Sequence, residues 1–315
     1  MEIQESVPLA PYTTFRIGGN ARWYCAPQTS HEICAALAWA RERALPWFAL
    51  GRGSNLLVAD AGYPGLIIHT LGMHSIAWEG AACAALPEQA CVVRCGAGCA
   101  TAVLADEAAG RGLSGLEFAG GLPGSIGGAS CMNARAYGSE IADIFIEAEV
   151  VTPGGEIMRR TRADMRYAYK HSALMESGEI ACSVTLALLC ARDEAEREMI
   201  RARTEENRTK RVTMGQFRRP SAGCVFKNDY ALGIPSGKLI DDAGLKGMRA
   251  GCAEVSSEHA NFIVNHGDAR AADVRELIAR IKDIINEKYG VMLEEEITYL
   301  GFDSAAPRQD APHRG

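Results

Sequence analysis

The stretch GLEFAGGLPGSIGGAS, residues 115–130, places five glycines between Gly120 and Gly128. Glycine lacks a Cβ and reaches positive φ without steric cost, so a loop this rich in it is built for close approach of backbone to something else. It follows a strand-like segment, VVRCGAG (92–98), and a helix-like run from Thr101 to Arg111; together they make one α/β unit. A similar unit lies upstream. The stretch from Ser30 to Arg43 has helical apolar spacing, and WFALGRGSNLL (47–57) reads as a strand entering the turn Gly51-Arg52-Gly53-Ser54-Asn55. Converging N–H groups in such turns suit an anion such as a pyrophosphate, and two loops from successive units can clamp one dinucleotide from both sides. Taken alone, GRGSN is equally compatible with a structural tight turn. Neither loop is a G-x-G-x-x-G fingerprint opening a helix, so a Rossmann dehydrogenase is disfavoured.

Further along, IFIEAEVVTPGGEIMRR (144–160) alternates and turns at Pro153-Gly154-Gly155, which predicts a hairpin. Another strand, IACSVTLALL (180–189), precedes a charged helix from Asp193 to about Arg208. A fresh α/β pattern then starts at Pro220 and runs to an amphipathic helix over Ala272 to Lys288. The expected organisation is therefore two α/β subdomains, 1–70 and 71–209, a third domain at 210–302 with the main boundary near Lys210, and a polar, proline-bearing tail at 303–315 expected to be disordered.

Composition narrows the function. Of 315 residues, 48% are hydrophobic and 23% charged, near the average for globular chains. A formal net charge of -6 argues against a broad nucleic-acid surface, which needs clustered Lys and Arg. The 11 cysteines, odd in number and scattered from Cys25 to Cys252, read as reduced cytosolic thiols. Cys91, Cys95 and Cys99 invite a zinc reading, but they sit in a strand leading into a glycine turn without a nearby fourth ligand, so no metal is expected. The start, MEIQESVPLAPYTTF, lacks a basic segment followed by an apolar stretch, and no run of about 18 apolar residues occurs. A cytoplasmic protein with no membrane or nucleic-acid partner is expected.

The strings TTFRIGGNA, LGRGSNLLVAD, GLEFAGGLPGSIGGASCMNARAYG, PSAGCVFKN, SGKLIDDAGLKG, HANFIVN and LEEEITYLG, in this order from Thr13 to Gly301, resemble the UDP-N-acetylenolpyruvoylglucosamine reductase family. The resemblance implies an α/β (α+β) protein with a p-cresol-methylhydroxylase-type FAD-binding fold of two α/β subdomains, plus a C-terminal α/β substrate-binding domain. It also implies non-covalent FAD, NADPH as electron donor, a UDP-sugar substrate and a role in peptidoglycan precursor synthesis; a monomer is expected. On the matching positions, the resemblance assigns the cofactor to Gly51, Arg52, Gly53, Ser54 and Asn55 of the first loop. From the second it adds Gly120, Pro123, Gly124, Ser125, Gly127 and Gly128, together with Asn133 and Arg211; Arg135 stands where a small residue is more usual.

The family reaction reduces an enolpyruvyl double bond, with hydride from flavin to the β-carbon and a proton from an acid to the α-carbon. The usual donor is a serine in PSAGS-type strings, and Cys224 takes that place here. A thiol is a far stronger acid than an alcohol, so the role survives the swap. The family's charge-stabilising arginine is replaced by Lys170 in YKHS (169–172), which keeps the charge but loses the planar fork that grips a carboxylate. Glu296 matches the terminal catalytic glutamate, and Thr298 replaces a basic residue often found two places later. Tyr169, Gln216, Lys227, Asn228, Lys238 and Asn261 are the candidates for holding the UDP-sugar. Two other readings share the glycine loops: an FAD-dependent oxidase of a sugar or hydroxy acid, and a catalytically silent flavin-binding scaffold.

Overall fold

The protein's structure, a computed structural model, describes residues 1–79, 90–229 and 232–302; the tail at 303–315 lies outside them. The first sheet has the order β1-β2-β5-β3, from β1 (Gln4–Pro8), β2 (Asn20–Cys25), β3 (Trp47–Leu50) and β5 (Tyr63–His69). Both β2 and β3 run parallel to β5, with α1 (Ser30–Glu42) packed on this sheet's core. The helix starts where the Thr29 side chain accepts a hydrogen bond from the Glu32 N–H at 3.2 Å. It buries Ile33, Ala36, Leu37 and Ala40, the i, i+3, i+4, i+7 stripe of an amphipathic helix.

The second sheet has the order β12-β11-β13-β7-β6 and is antiparallel throughout, built from β6 (Ile76–Glu79), β7 (Ala90–Gly96), β11 (Phe145–Val151), β12 (Ile157–Thr161) and β13 (Ile180–Cys190). The hairpin expected at 144–160 is the β11–β12 pair. Its core is covered by α2 (Thr101–Arg111), which ends at Gly112 in the left-handed conformation, φ 72°, a common glycine stop signal. Short elements fill the connection between the two halves of this sheet: β8 (Leu113–Ser114), α3 (Ile126–Cys131), β9 (Arg135–Ala136), β10 (Ser139–Glu140), α4 (Ile141–Ile144) and, before β13, α5 (Ala173–Ser177).

The third unit contains α7 (Ser236–Asp242), the small antiparallel sheet β14 (Arg249–Ala250), β15 (Ala253–Val255) and β16 (Ile263–Asn265), and α8 (Ala271–Tyr289). Val274, Leu277, Ile278, Ile281 and Ile285 form the buried stripe of α8, each worth about 1.5–3 kcal/mol when fully withdrawn from water. This core is not confined to the C-terminal segment: Phe15, Ile17 and Leu57 pack into it. The last strand, β17 (Thr298–Leu300), returns to pair in parallel with β4 (Leu56–Val58), directly after the first glycine loop. The Asp60 carboxylate accepts from the Ala271 and Ala272 N–H groups at 2.7 and 3.1 Å, capping α8 from the first subdomain.

The boundary expected near Lys210 falls inside a helix, α6 (Glu194–Thr213). Residues 209–213 continue the helix to its cap at Met214, and the buried face continues as Ile200, Thr204, Asn207 and Arg211. That face is a prop for the second glycine loop. Asn207 Nδ2 donates to the Glu117 carbonyl at 2.9 Å, and Arg211 donates to the carbonyls of Phe118 and Gly120 at 3.0 and 3.1 Å.

Candidate active site

The two glycine loops meet. Ser54 Oγ donates to the Pro123 carbonyl at 3.4 Å, and a methyl added to Gly124 would stand 3.1 Å from that same Ser54 oxygen. Gly53 has φ 59° and lies so close to the chain that a Cβ would come within 2.4 Å of the Tyr12 carbonyl. A Cβ on Gly51 would meet Ser125 Oγ at 2.5 Å. Ser125 is 2% exposed, and its hydroxyl accepts from the Gly128 N–H at 3.4 Å to cap α3. Gly51→Ala therefore forces the loops apart or breaks that cap. We expect at least a roughly 10-fold weaker hold on an FAD cofactor, equivalent to about 1.4 kcal/mol, read as flavin per chain after gel filtration. Gly110→Ala, in α2 with no atom within 4 Å of the new methyl, is expected to leave flavin content unchanged.

The expected cofactor residues divide into those at the contact between the two loops and those packed behind it. Gly51, Ser54, Pro123, Gly124 and Ser125 line the place where the loops meet, with the exposed Arg52 beside it and Gly128 exposed on α3. Gly120 and Gly127 serve packing: a Cβ would strike the Thr204 carbonyl at 2.3 Å or the Ala97 side chain at 2.6 Å.

Three of the expected asparagines have side-chain amides bonded to backbone. Asn133 is 0% exposed, at φ 47°, accepting from the Ala142 N–H and donating to the Ala168 carbonyl, each at 3.0 Å. Asn55 donates to the Glu296 carbonyl at 2.9 Å and its own carbonyl accepts from the Thr298 N–H at 2.9 Å, clipping the first loop to the chain entering β17. Asn261, 3% exposed, pairs with both the N–H and the carbonyl of Phe226 at 2.9 Å. Arg211 is a buried cation whose guanidinium also lies 5.1 Å from the Tyr137 ring; burial lowers its pKa, and its hydrogen bonds hold the second loop.

The three expected catalytic residues come together from distant parts of the chain. Lys170 occupies a tight turn in which the Ala168 and His171 backbones bond to each other at 3.1 and 3.2 Å, at φ 55°. A lysine held there is costly by about 1–2 kcal/mol. Its ammonium meets the Glu296 carboxylate at 2.6 Å, with side chains only 15% and 10% exposed. Glu296 is placed by its own N–H, which donates to the Val225 carbonyl at 2.7 Å; the Lys227 N–H donates to the Glu294 carbonyl at 2.8 Å and the Val225 N–H to the Asn261 carbonyl at 2.8 Å. The 224–227 segment is thus laced between 261–262 and 294–296, which sets Cys224 beside the ion pair. Burial, reinforced by the negative Glu296, pushes the Cys224 thiol up to about 12, with Lys170 and Arg211 pulling the other way. The thiol is protonated throughout the neutral range.

Around this trio, the Tyr169 hydroxyl accepts from the Asn228 N–H at 3.2 Å, and the Gln216 amide lies 3.7 Å from where a Cβ on Gly223 would stand. Asn228 Oδ1 accepts from the Ser236 N–H at 3.0 Å at the start of α7. Lys227 pairs with exposed Glu294 and Lys238 with Asp242, so both ammonium groups stay near solvent. Thr14, which sequence reasoning left without a role although TTFRIGG contains it, supports the first loop: its N–H donates to the Gly53 carbonyl at 3.1 Å. Cys95 and Cys99 point their thiols at the Val184 and Ser75 carbonyls, each at 3.4 Å.

Residues 21–161 match the family model of an FAD binding domain, and residues 215–300 match that of the UDP-N-acetylenolpyruvoylglucosamine reductase C-terminal domain. The chain is 40% identical over 300 residues to the UDP-N-acetylenolpyruvoylglucosamine reductase of Synechococcus sp. (strain JA-3-3Ab), covering 95% of this chain and 91% of that protein. It is 41% identical over 301 residues to the same-named protein of Caldicellulosiruptor saccharolyticus, covering 96% and 93%. The crystal structure of the reductase from Thermus caldophilus superimposes with a TM-score of 0.76 at 36% identity, covering 95% of this chain and 99% of that one. Glycines that let the two loops close on each other where a side chain would collide, backed by matches at both ends of the chain, fit a bound FAD, and the chain belongs to the UDP-N-acetylenolpyruvoylglucosamine reductase family.

Proposed function

We propose that this protein reduces UDP-N-acetylenolpyruvoylglucosamine to UDP-N-acetylmuramate with electrons from NADPH, as a cytoplasmic monomer in peptidoglycan precursor synthesis. The observation that carries the reading is the Lys170–Glu296 ion pair beside the protonated Cys224, where the FAD-binding part of the chain meets the third domain. Among the described residues no helix is long and apolar enough to cross a membrane.

Bound FAD supplies the hydride for the β-carbon. The protein's own residues do the rest. Cys224 gives its Sγ proton to the α-carbon; with a pKa near 12 the thiol holds that proton until a strongly basic carbon forms. Lys170 stabilises the negative charge that gathers on the carboxylate side of the substrate during the step. Glu296 holds Lys170 in place until the substrate carboxylate competes for it. Tyr169, Gln216, Lys227, Asn228 and Lys238 are assigned the sugar nucleotide, with Tyr169 and Asn228 held together by the Asn228 N–H and Asn261 fixing the Phe226 backbone. A scaffold without activity has no use for a buried ion pair focused on a protonated thiol.

The test is NADPH consumption by the purified protein with and without the enolpyruvyl sugar nucleotide. Consumption that depends on the sugar is expected; consumption indifferent to it, with oxygen taken up instead, overturns the reading in favour of an oxidase. The cofactor is also expected to be dissociable, because the two glycine loops offer backbone donors rather than a linking side chain. Denaturation should release the yellow colour into the supernatant, and flavin that stays with the precipitated chain contradicts it.

A further inference from the structure

The Gly51 carbonyl turns into the first core and accepts a hydrogen bond from His69 Nε2 at 3.0 Å. A carbonyl only accepts, so Nε2 carries the proton; Nδ1 of the neutral ring is then the acceptor, and the Tyr24 hydroxyl donates to it at 2.6 Å. His69 is 3% exposed at the end of β5, with the Tyr12 ring edge-on at 5.0 Å. Burial lowers its pKa to about 4, which keeps the ring neutral in this arrangement. Beside it, Thr70 Oγ1 donates to the Leu50 carbonyl at 3.2 Å. Two successive side chains thus spend their donors on the carbonyls that lead into the first glycine loop.

In a planar trans peptide the C=O and the following N–H point in opposite directions. With the Gly51 oxygen drawn inward by His69, the Arg52 N–H is turned outward; with the Gly53 oxygen held by the Thr14 N–H at 3.1 Å, the Ser54 N–H is turned outward likewise. Among the described residues, neither N–H has a protein acceptor. Outward-facing amides at a glycine loop are anion donors.

We propose that His69 is a positioning residue for the dinucleotide: by fixing the Gly51–Arg52 peptide plane, it keeps the Arg52 N–H turned toward an anionic group lying between the two glycine loops. Tyr24 extends the hold by selecting the ring tautomer. The proposal rests on the reading of the chain as an FAD enzyme.

The test is titration of FAD into the flavin-stripped full-length protein, followed by flavin fluorescence, with thermal melts of the flavin-free variants alongside. His69→Leu, which fills the space without a donor, is expected to raise the Kd about 10-fold, the loss of roughly one oriented hydrogen bond. His69→Gln, whose amide nitrogen reaches the same carbonyl, is expected to stay within about 3-fold of wild type. Rescue by glutamine but not leucine separates orientation of the loop from simple packing. A wild-type Kd for His69→Leu, or equal losses for leucine and glutamine, overturns the proposal. If His69→Leu does not fold, Tyr24→Phe carries the test: it removes one hydroxyl and is expected to weaken FAD by about 3-fold, and an unchanged Kd overturns the proposal. Failure of the wild-type chain itself to bind FAD would defeat the cofactor reading instead, and is distinguished in the same titration.

Discussion

Cys224→Ala is expected to slow reoxidation of the reduced enzyme by its sugar substrate about 100- to 10,000-fold, the usual effect of a lost general acid, with little change in reduction by NADPH. The asymmetry follows from the chemistry. Taking up hydride from NADPH requires no proton at the substrate α-carbon, whereas completing the reduction of the double bond does. Cys224→Ser should keep appreciable activity, because a hydroxyl carries a proton in the same place although it is the weaker acid. The raised pKa adds a second expectation. With the thiol pushed up to about 12, almost no thiolate exists near neutral pH, so iodoacetamide should modify Cys224 far more slowly than an ordinary exposed cysteine. Equal slowing of both half-reactions in Cys224→Ala would point to damage at the cofactor rather than a missing acid.

Lys170→Ala is expected to have the next largest effect, slowing the same half-reaction about 100- to 1,000-fold, as removal of one charge-stabilising donor does elsewhere. Two losses combine. The developing negative charge loses its cation, and Glu296, only 10% exposed, is left as a buried carboxylate without its partner. Lys170→Arg should retain or raise activity, since a guanidinium keeps the charge and adds a two-pronged grip on a carboxylate. The left-handed backbone at Lys170 needs its own control. Lys170→Asn suits that conformation but lacks the charge, so it should lose as much activity as alanine while keeping the fold. Activity retained by Lys170→Asn would show that the turn, not the ammonium, matters.

What could be read from the sequence and what could not divide along a physical line. Local periodicity was enough for α1, α2, α8 and the β11–β12 hairpin, because each is specified by neighbours within a few residues: Ile33, Ala36, Leu37 and Ala40 describe their own helix face. The return of β17 to β4 was not legible, since Thr298–Leu300 has no pattern that names a partner at Leu56–Val58. The extension of α6 to Thr213 was missed for a related reason. Its inner face carries Thr204, Asn207 and Arg211, polar residues buried only because carbonyls of the 117–120 segment receive two of them.

The site shows the same limit. Cys224, Lys170 and Glu296 were found only through the resemblance, for a lysine in YKHS and one of three adjacent glutamates carry no sign of each other; the structure then brings the two charges to 2.6 Å. Asn55 and Asn133 were assigned to the cofactor through the resemblance, and Asn261 to the sugar nucleotide because an amide suits pyrophosphate and sugar hydroxyls. A sequence does not show which way an amide faces, and all three face backbone belonging to other segments.

The central claim, that the Cys224–Lys170–Glu296 site reduces an enolpyruvyl sugar nucleotide, is tested most directly by anaerobic stopped-flow absorbance. The purified yellow protein is bleached with NADPH in the absence of oxygen and then mixed with UDP-N-acetylenolpyruvoylglucosamine. The expected result is rapid return of the yellow colour with formation of UDP-N-acetylmuramate, slowed in Cys224→Ala and Lys170→Ala. Colour that returns only on admitting oxygen, with the sugar nucleotide unchanged, would contradict it.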